Sequence, residues 1–154
     1  MVSVSGQQIT LRTLGPHDAQ QTTELILRNK YYWSQYEPLH HDSYYLYETQ
    51  YRKIVESLHL LRENREFSFG IFDNVTQQLV GQISLFSIKR LPYSSGFIGY
   101  SIDEQFIGRG LATEAVQLAV EFAFSTVKLH RVEAYVSPKN SGSIRVLEKG
   151  QFVQ

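Results

Sequence analysis

The segment 96–136 constrains the fold of this chain more than any other stretch of its sequence. Residues 96–103 have the pattern of a strand, and the helical pattern that follows over about 110–126 gives a broad apolar stripe on one face. Residues 130–136 then alternate between apolar and polar side chains, as a second strand does. A strand, helix, strand unit of this length predicts two parallel strands joined by a right-handed crossover.

The remaining patterns predict a mixed sheet around that unit. The order along the chain is strand, two helices, three strands, helix, strand and helix, which is an α/β (α+β) arrangement with helices on both faces of one sheet. A length of 154 residues fits one domain, 1–154, with its own core. The remaining predicted strands are 7–14, 67–71 and 79–89, the remaining predicted helices are 16–30, 43–64 and 141–149, and 31–41 is predicted to be an ordered loop.

The composition excludes several classes of function. Fifteen Lys and Arg residues balance fifteen Asp and Glu residues, so no net field favours nucleic acid or an anionic membrane as a partner. The absence of Cys removes disulfides, thiolate zinc sites and a cysteine nucleophile. The adjacent His40 and His41 do not form a metal pair, so we expect no metal. With no leader pattern and no apolar run of about 18 residues, the expected location is cytoplasmic, without a membrane partner.

Gly108 and Gly110 lie between the predicted strand 96–103 and the helix that follows it. A helix N-terminus offers N–H groups without helical partners and the positive end of the helix dipole, and glycine lets an anion approach those amides closely. The alternative is that both glycines only turn the chain. Because the sequence has neither Gly-Lys-Ser/Thr nor Gly-x-Gly-x-x-Gly at this point, it does not support a P-loop or a dinucleotide site.

The stretches GYSIDEQFIGRGLATEAVQLAVEFAF (99–124) and HRVEAYVSPKNSGSIRVLEK (130–149) resemble the GNAT N-acetyltransferases, most closely their RimJ/RimL-like branch. The resemblance is dense over 96–149 and looser over 9–90. It implies a GNAT-like acyl-CoA N-acyltransferase fold in an enzyme that uses acetyl-CoA. The implied reaction transfers the acetyl group to a primary amine, a protein N-terminal α-amine or a small amine, by direct attack without a covalent enzyme intermediate.

The resemblance also implies where acetyl-CoA binds. Backbone amides from about Ile107 to Ala112 would hold the pyrophosphate, and pantetheine would lie between two splayed strands, 96–103 and 130–136, as a false extra strand. Arg145 or Lys149 would reach the 3′-phosphate. The implied cofactor-binding residues are Ile102, Gln105, Ile107, Gly108, Arg109, Gly110, Leu111, Ala112, Asn140 and Ser143.

The catalytic residues implied by the resemblance are Ser143 and Tyr100. Asn140 would hold pantetheine by its amide, and the Ser143 hydroxyl would give a proton to the leaving thiolate, although both residue types are also ordinary helix N-caps. Tyr100 would relay a proton through water, although a tyrosine in the core is the more common case. No general base is assigned: Asp103 and Glu104 lie near the acetyl end, but such a pair is usually solvated surface.

The sequence departs from the family pattern at two places near its C-terminal end, and each departure predicts a structural feature. Gly150 stands one place early, so Gln151 occupies the position at which the last helix requires a positive φ, and we expect strain there. The family also continues into a closing pair of strands, so we expect a C-terminally incomplete domain whose strand 130–136 is a sheet edge. Such an edge permits a homodimer.

Two further points stay open from the sequence. A GNAT-like module that binds acyl-CoA without catalysis is the alternative function, and a nucleotide-binding domain is weaker because the phosphate-binding lysine is missing. The acceptor pocket is expected in the segment 31–47, where aromatic side chains are dense: Tyr31, Tyr32, Trp33, Tyr36, Tyr44 and Tyr45.

Overall fold

A computed structural model describes all residues from 1 to 154. The strands are β1 (Ser3–Ser5), β2 (Ile9–Thr13), β3 (Phe67–Asp73), β4 (Leu79–Lys89), β5 (Ser95–Ile102) and β6 (Arg131–Glu133). The helices are α1 (Ala19–Arg28), α2 (Lys30–Trp33), α3 (Tyr47–Arg62), α4 (Leu111–Ser125) and α5 (Ser141–Lys149). No helix combines the length and the apolar character needed to cross a membrane.

The six strands form one sheet in which spatial order equals sequence order. Neighbouring strands are antiparallel from β1 to β5, and only β5 and β6 run parallel. Helix α4 connects those two strands, because a parallel pair needs a crossover connection. The predicted mixed sheet and its strand, helix, strand unit are confirmed.

One face of the sheet packs on α4. Phe67 and Phe69 point to this face from β3, and Phe122 of α4 meets both rings edge to face, with centroids 5.2 and 5.5 Å away. All three belong to a cluster of 19 buried residues that forms the main core. Truncation of a phenylalanine in such a core costs about 3–5 kcal/mol.

The opposite face carries α1 and α3. A smaller buried cluster joins them to the sheet through Leu14, Ala19, Leu25, Ile54, Phe72 and Leu79. Beside it, Ser68 and Ser84 lie opposite each other on β3 and β4, with their hydroxyl oxygens 3.2 Å apart. The expected helices on both faces are therefore present, and a polar strip of the sheet lies next to α3.

Several predicted boundaries were wrong. The short strand β1 was missed, and α3 begins at Tyr47 instead of residue 43, because Leu46 is extended and a 3-10 turn covers Asp42–Tyr45. Within the loop predicted over 31–41, Trp33 ends a helical turn that begins at Lys30. The strand predicted over 130–136 is limited to the three residues of β6, after which the chain leaves the sheet.

The end of α5 has the backbone that the sequence predicts. Gln151 adopts a positive φ of 69°, whereas Gly150 has an ordinary helical φ of −81°. A glycine is the usual residue at the left-handed position that closes a helix. The strain expected at Gln151 is therefore present in this turn.

Candidate active site

A cleft of 1050 Å³ runs through the molecule along β5. One end lies between the glycine loop before α4 and the start of α5, and the other lies under α2 and α3 on the opposite face of the sheet. Of the eleven site residues predicted from the sequence, those that line the cleft are Tyr100, Ile102, Ile107, Gly108, Gly110, Leu111, Ala112, Asn140 and Ser143.

A gap between β5 and β6 forms the middle of the cleft. The two strands pair only from Ser95 and Arg131 to Phe97 and Glu133, while β5 continues to Ile102. The N–H of Asp103 donates to the Val80 carbonyl on β4 at 2.8 Å. Because backbone groups alternate in direction along a strand, those of Tyr100 and Ile102 face the gap. The predicted splay is present, and it exposes a backbone edge that suits an extended ligand.

Trp33 already occupies part of that edge. Its indole Nε1–H donates to the carbonyl of Ile102 at 2.9 Å. The groups left for a ligand are the N–H of Ile102 and both backbone groups of Tyr100. A bound chain that pairs around Ile102 therefore meets a donor and not a free acceptor at that residue.

The glycine loop before α4 has the left-handed backbone that only glycine adopts easily. Gly108 and Gly110 have φ values of 78° and 79°. A Cβ at either position would meet no protein atom within 4 Å. The backbone of this turn therefore favours glycine at both positions. The glycines also leave the space in front of the α4 N-terminus clear, so the turn and the anion-binding interpretations are compatible.

Two predicted cofactor residues lie outside the cleft lining. The backbone N–H of Gln105 donates to Asp103 Oδ1 at 3.0 Å, and the guanidinium of Arg109 lies 4.9 Å from the centre of the Phe106 ring. Arg145 and Lys149, in contrast, line the cleft from α5. The roles of Gln105 and Arg109 stay predictions.

Asn140 caps the N-terminus of α5. Its Oδ1 accepts a hydrogen bond from the backbone N–H of Ser143 at 3.0 Å. The capping role considered from the sequence is thus present, and such a cap contributes about 1 kcal/mol. No protein group accepts from the Nδ2 amide, which leaves two donors for a ligand in the cleft.

Tyr100 and Ser143 connect β5 to α5 through their hydroxyl groups. The two oxygens lie 2.5 Å apart. Burial raises the pKa of Tyr100 above its usual 10.0, although the hydrogen bond with Ser143 opposes this. The phenol is therefore protonated at neutral pH. When it donates to Ser143, the serine proton is free to point at a group in the cleft.

The expectation that Asp103 is solvated surface was wrong. Its side chain is 0% exposed, and its Oδ2 accepts from Arg28 Nε at 3.0 Å and from Arg28 Nη2 at 2.8 Å. The next residue, Glu104, is exposed, and its backbone N–H donates to Asn29 Oδ1 at 2.9 Å. A carboxylate with these partners is a structural anchor and not a free base.

The aromatic segment walls the far end of the cleft as the sequence predicts. Tyr32, Trp33, Tyr36 and Tyr44 line it, and Tyr45 lines a smaller adjoining cavity of 200 Å³. Tyr31 is 80% exposed and lines neither. Side chains of the sheet form the opposite, polar wall: Ser68, Gln82, Ser84 and Ser101.

Glu37 lines both cavities and is not among the site residues predicted from the sequence. Glu37 keeps part of its surface exposed to solvent. Partial desolvation between the walls raises the pKa of its carboxyl above the usual 4.5, while nearby His40 and the Ser101 hydroxyl oppose the rise. A signal was present in the sequence: Glu37 is the only acidic residue in the aromatic stretch 31–41. A lone carboxylate in a predicted pocket wall is a candidate for binding a cation or a proton.

Known proteins are similar to this chain in both sequence and fold. The family described as Acetyltransferase (GNAT) domain matches residues 8–153. The probable N-acetyltransferase YjcK of Bacillus subtilis (strain 168) is 41% identical over 149 residues, which are 97% of this chain and 82% of that protein.

Two solved structures extend the comparison. The ribosomal-protein-S5-alanine acetyltransferase from Vibrio fischeri matches with a TM-score of 0.94 at 27% identity, over 100% of this chain and 84% of its own. Mycobacterium smegmatis RimJ, solved in complex with CoA-disulfide, shares the fold with a TM-score of 0.89 at 24% identity, over 96% and 73%. The fold, the glycine loop and these matches confirm the resemblance seen in the sequence: the chain belongs to the GNAT acetyltransferase family, in its RimJ/RimL-like branch.

Proposed function

We propose that the chain transfers an acetyl group from acetyl-CoA to a primary amine, and that this amine is the α-amine of a protein N-terminus. The observation that carries the proposal is the continuity of the cleft. One cavity joins the glycine loop, the gap beside β5 and the polar pocket under α3, so a donor and an acceptor can meet at the strand between them.

Acetyl-CoA binding is supported by the half of the cleft next to α4 and α5. The backbone N–H groups at the start of α4 suit a diphosphate, since the helix has no other partner for them. Arg145 and Lys149 of α5 add positive charge to the same half. The CoA-disulfide complex of Mycobacterium smegmatis RimJ, which has the same fold, agrees with this assignment.

The chemistry that we propose needs alignment and proton handling. A neutral amine nitrogen attacks the thioester carbonyl carbon, the C–N bond forms and the C–S bond breaks. Backbone N–H groups of β5 around Tyr100 to Ile102 stabilise the oxyanion. Ser143, supported by Tyr100, gives its proton to the thiolate and regains one from the nitrogen that becomes the amide.

The protein N-terminal acceptor rests on the relatives. The Vibrio fischeri protein is named as an acetyltransferase of a ribosomal-protein alanine. The acceptor half of the cleft reaches the surface at the exposed lining residues Tyr36 and Glu37, so a chain end can enter while the rest of a protein stays outside. A small free amine would use the same half of the cleft.

Calorimetric titration with acetyl-CoA, followed by an assay of thiol release, tests the proposal. We expect one-to-one binding, and release of free CoA thiol only when a peptide with a free N-terminal alanine or serine is present. The matched control is the same peptide with an acetylated N-terminus. Binding without amine-dependent thiol release would favour the alternative of a non-catalytic acyl-CoA module, and no binding by the folded chain would overturn both.

A further inference from the structure

We propose that Glu37 binds the ammonium group of the acceptor and takes its proton, and that the pocket around it selects an amine carried on a small, polar chain end. This inference rests on the proposed function, because it assigns the acceptor half of the same cleft.

The position of Glu37 relative to β5 is the first argument. Ser101 of β5 lines both of the cavities that Glu37 lines. Ser101 stands between Tyr100 and Ile102, whose backbone groups face the gap where the thioester is expected. Side chains alternate along a strand, so Ser101 and Tyr100 point to opposite faces of the sheet. Glu37 and the Tyr100–Ser143 pair therefore flank the same stretch of backbone from its two sides.

That arrangement separates the two proton transfers of the reaction. Amine acetylation must remove a proton from an ammonium group and supply one to a thiolate. Ser143 and Tyr100 lie on the face that carries α5, and Glu37 lies on the face that carries the aromatic pocket. A direct transfer can use one group to deprotonate the amine and another to protonate the thiolate, and this arrangement supplies both.

Other carboxylates near the cleft have different positions or partners. Asp103 is fully paired with Arg28. Glu66 also lines the cleft, but it precedes β3 at the end remote from Ser101, and it accepts from Ser68 Oγ at 3.1 Å. Glu37 has no ion pair in the structure. It is therefore the carboxylate at this position that can accept an external cation.

The charged and titratable groups around Glu37 fit that role. Lys53 lies over the Tyr44 ring at 4.6 Å and Lys30 over the Tyr45 ring at 4.6 Å, so both cations are held by aromatic rings. His40 stacks on Tyr44 with ring centroids 3.7 Å apart and is the one basic group that acts on Glu37 directly. Partial desolvation, which raises the pKa of Glu37, makes its carboxylate a better proton acceptor than an ordinary glutamate.

The walls of the pocket indicate the class of acceptor. Ser68, Ser84 and Ser101 give short hydroxyl side chains on the sheet side, and Trp33, Tyr36 and Tyr44 form the opposite wall. Short polar groups on one wall and flat rings on the other suit a narrow guest that offers hydrogen-bonding groups. An N-terminal serine or alanine has this size and carries its ammonium group on the same small residue.

The proton balance of the step is simple. The ammonium nitrogen gives one proton to the Glu37 carboxylate, which becomes a carboxylic acid and later returns that proton to water. The neutral nitrogen then attacks, and its second proton is the one that reaches the thiolate through Ser143. The net products are an amide, a thiol and one proton released to solvent.

The test measures acceptor binding without turnover. The chain is saturated with CoA and titrated with the amide of Ser-Ala-Ala, and then with the same peptide carrying an N-acetyl group. We expect Glu37→Gln to weaken binding of the free-amine peptide at least about tenfold. Affinity for CoA and for the N-acetyl peptide should stay unchanged. Glu56→Gln, on the exposed side of α3, is the matched control.

Each result decides between the two proposals. If the wild-type chain does not bind CoA, the proposed function itself is overturned. Intact CoA binding, with a free-amine affinity that is absent or indifferent to Glu37, overturns only the assignment of Glu37. If Glu37→Gln lowers thermal stability, Glu37→Asp replaces it: a carboxylate withdrawn by one methylene should retain part of the amine affinity, and full retention would contradict the proposal.

Discussion

Arg28, at the end of α1, donates two hydrogen bonds to the buried carboxylate of Asp103, at 3.0 and 2.8 Å. Asp103 stands directly before the turn that leads into the glycine loop, and its other oxygen accepts from the backbone of Gln105. This ion pair therefore ties the helices of the acceptor half to the loop of the donor half. Trp33 reinforces the link through the carbonyl of Ile102.

Breaking this ion pair should destabilise the chain. Arg28→Met leaves a fully buried carboxylate without its cation, and we expect a loss of about 2–4 kcal/mol in the free energy of unfolding. The double variant Arg28→Met with Asp103→Asn should recover part of that loss, because it removes the unpaired charge. Urea denaturation of the two single variants and the double variant measures the coupling. Strictly additive effects would mean that the pair contributes nothing specific.

Substitutions of Gly108 can separate two effects: backbone strain in the turn, and obstruction of the space that a ligand would occupy. Gly108→Asn tolerates the left-handed backbone and should cost little stability, whereas Gly108→Val should cost about 1–2 kcal/mol. Both place a side chain in front of the α4 N-terminus, so both should weaken acetyl-CoA binding. Thermal denaturation and calorimetry on the same samples test this. Wild-type affinity in a stable Gly108→Asn variant would restrict the glycines to making the turn.

The donor half of the site was predicted more fully than the acceptor half. A strand, two glycines and an amphipathic helix are local in sequence, so their pattern carries both the fold and the anion site. The link from Arg28 to Asp103 joins residues 75 positions apart, and no periodicity reports such a pair. Asp103 was taken for surface because a charged residue before a turn usually is. Glu37 was missed because its environment comes from walls that the fold brings together.

Asn140 combines a cap with a free amide, and one substitution separates the two roles. Asn140→Asp keeps an oxygen that accepts from the Ser143 N–H, so the stability of α5 should be retained. It removes the Nδ2 donor, and the loss of one hydrogen bond should weaken CoA binding about 2–10-fold. Asn140→Ala should lose both the cap and the Nδ2 donor, and the loss of the cap should lower the free energy of unfolding by about 1 kcal/mol. Equal CoA affinity in the wild type and the Asp variant would leave Asn140 as a cap only.

Substitutions at Ser143 and Tyr100 should lower turnover much more than they weaken acetyl-CoA binding. Ser143→Ala removes the proposed proton donor while its backbone N–H stays on the Asn140 cap, and we expect kcat to fall about 100-fold. Tyr100→Phe removes only the supporting hydroxyl, so the fall should be smaller, about tenfold. Steady-state kinetics with calorimetric Kd values for acetyl-CoA distinguish these effects. A Ser143→Ala enzyme with wild-type kcat would remove serine from the proton path.

The direction of the Glu37 pKa shift predicts how activity depends on pH. A group that must accept a proton is active only when deprotonated, so kcat/KM should rise with pH through the pKa of Glu37. Because burial raises that pKa, the rise should lie above the range of an ordinary glutamate near 4.5, and Glu37→Gln should abolish it.

The same shift fixes the sign of the effect on stability. A raised pKa means that the folded state binds the proton more tightly than the unfolded state does. The carboxyl therefore favours folding when it is protonated, below its unfolded pKa, and this contribution is lost as pH rises through the folded pKa. Relative to the wild type, Glu37→Gln should gain stability as the pH rises to neutrality, and urea unfolding at a series of pH values measures that gain. A variant that loses stability over the same interval would show that Glu37 has an attractive partner in the fold and is not free to receive an amine.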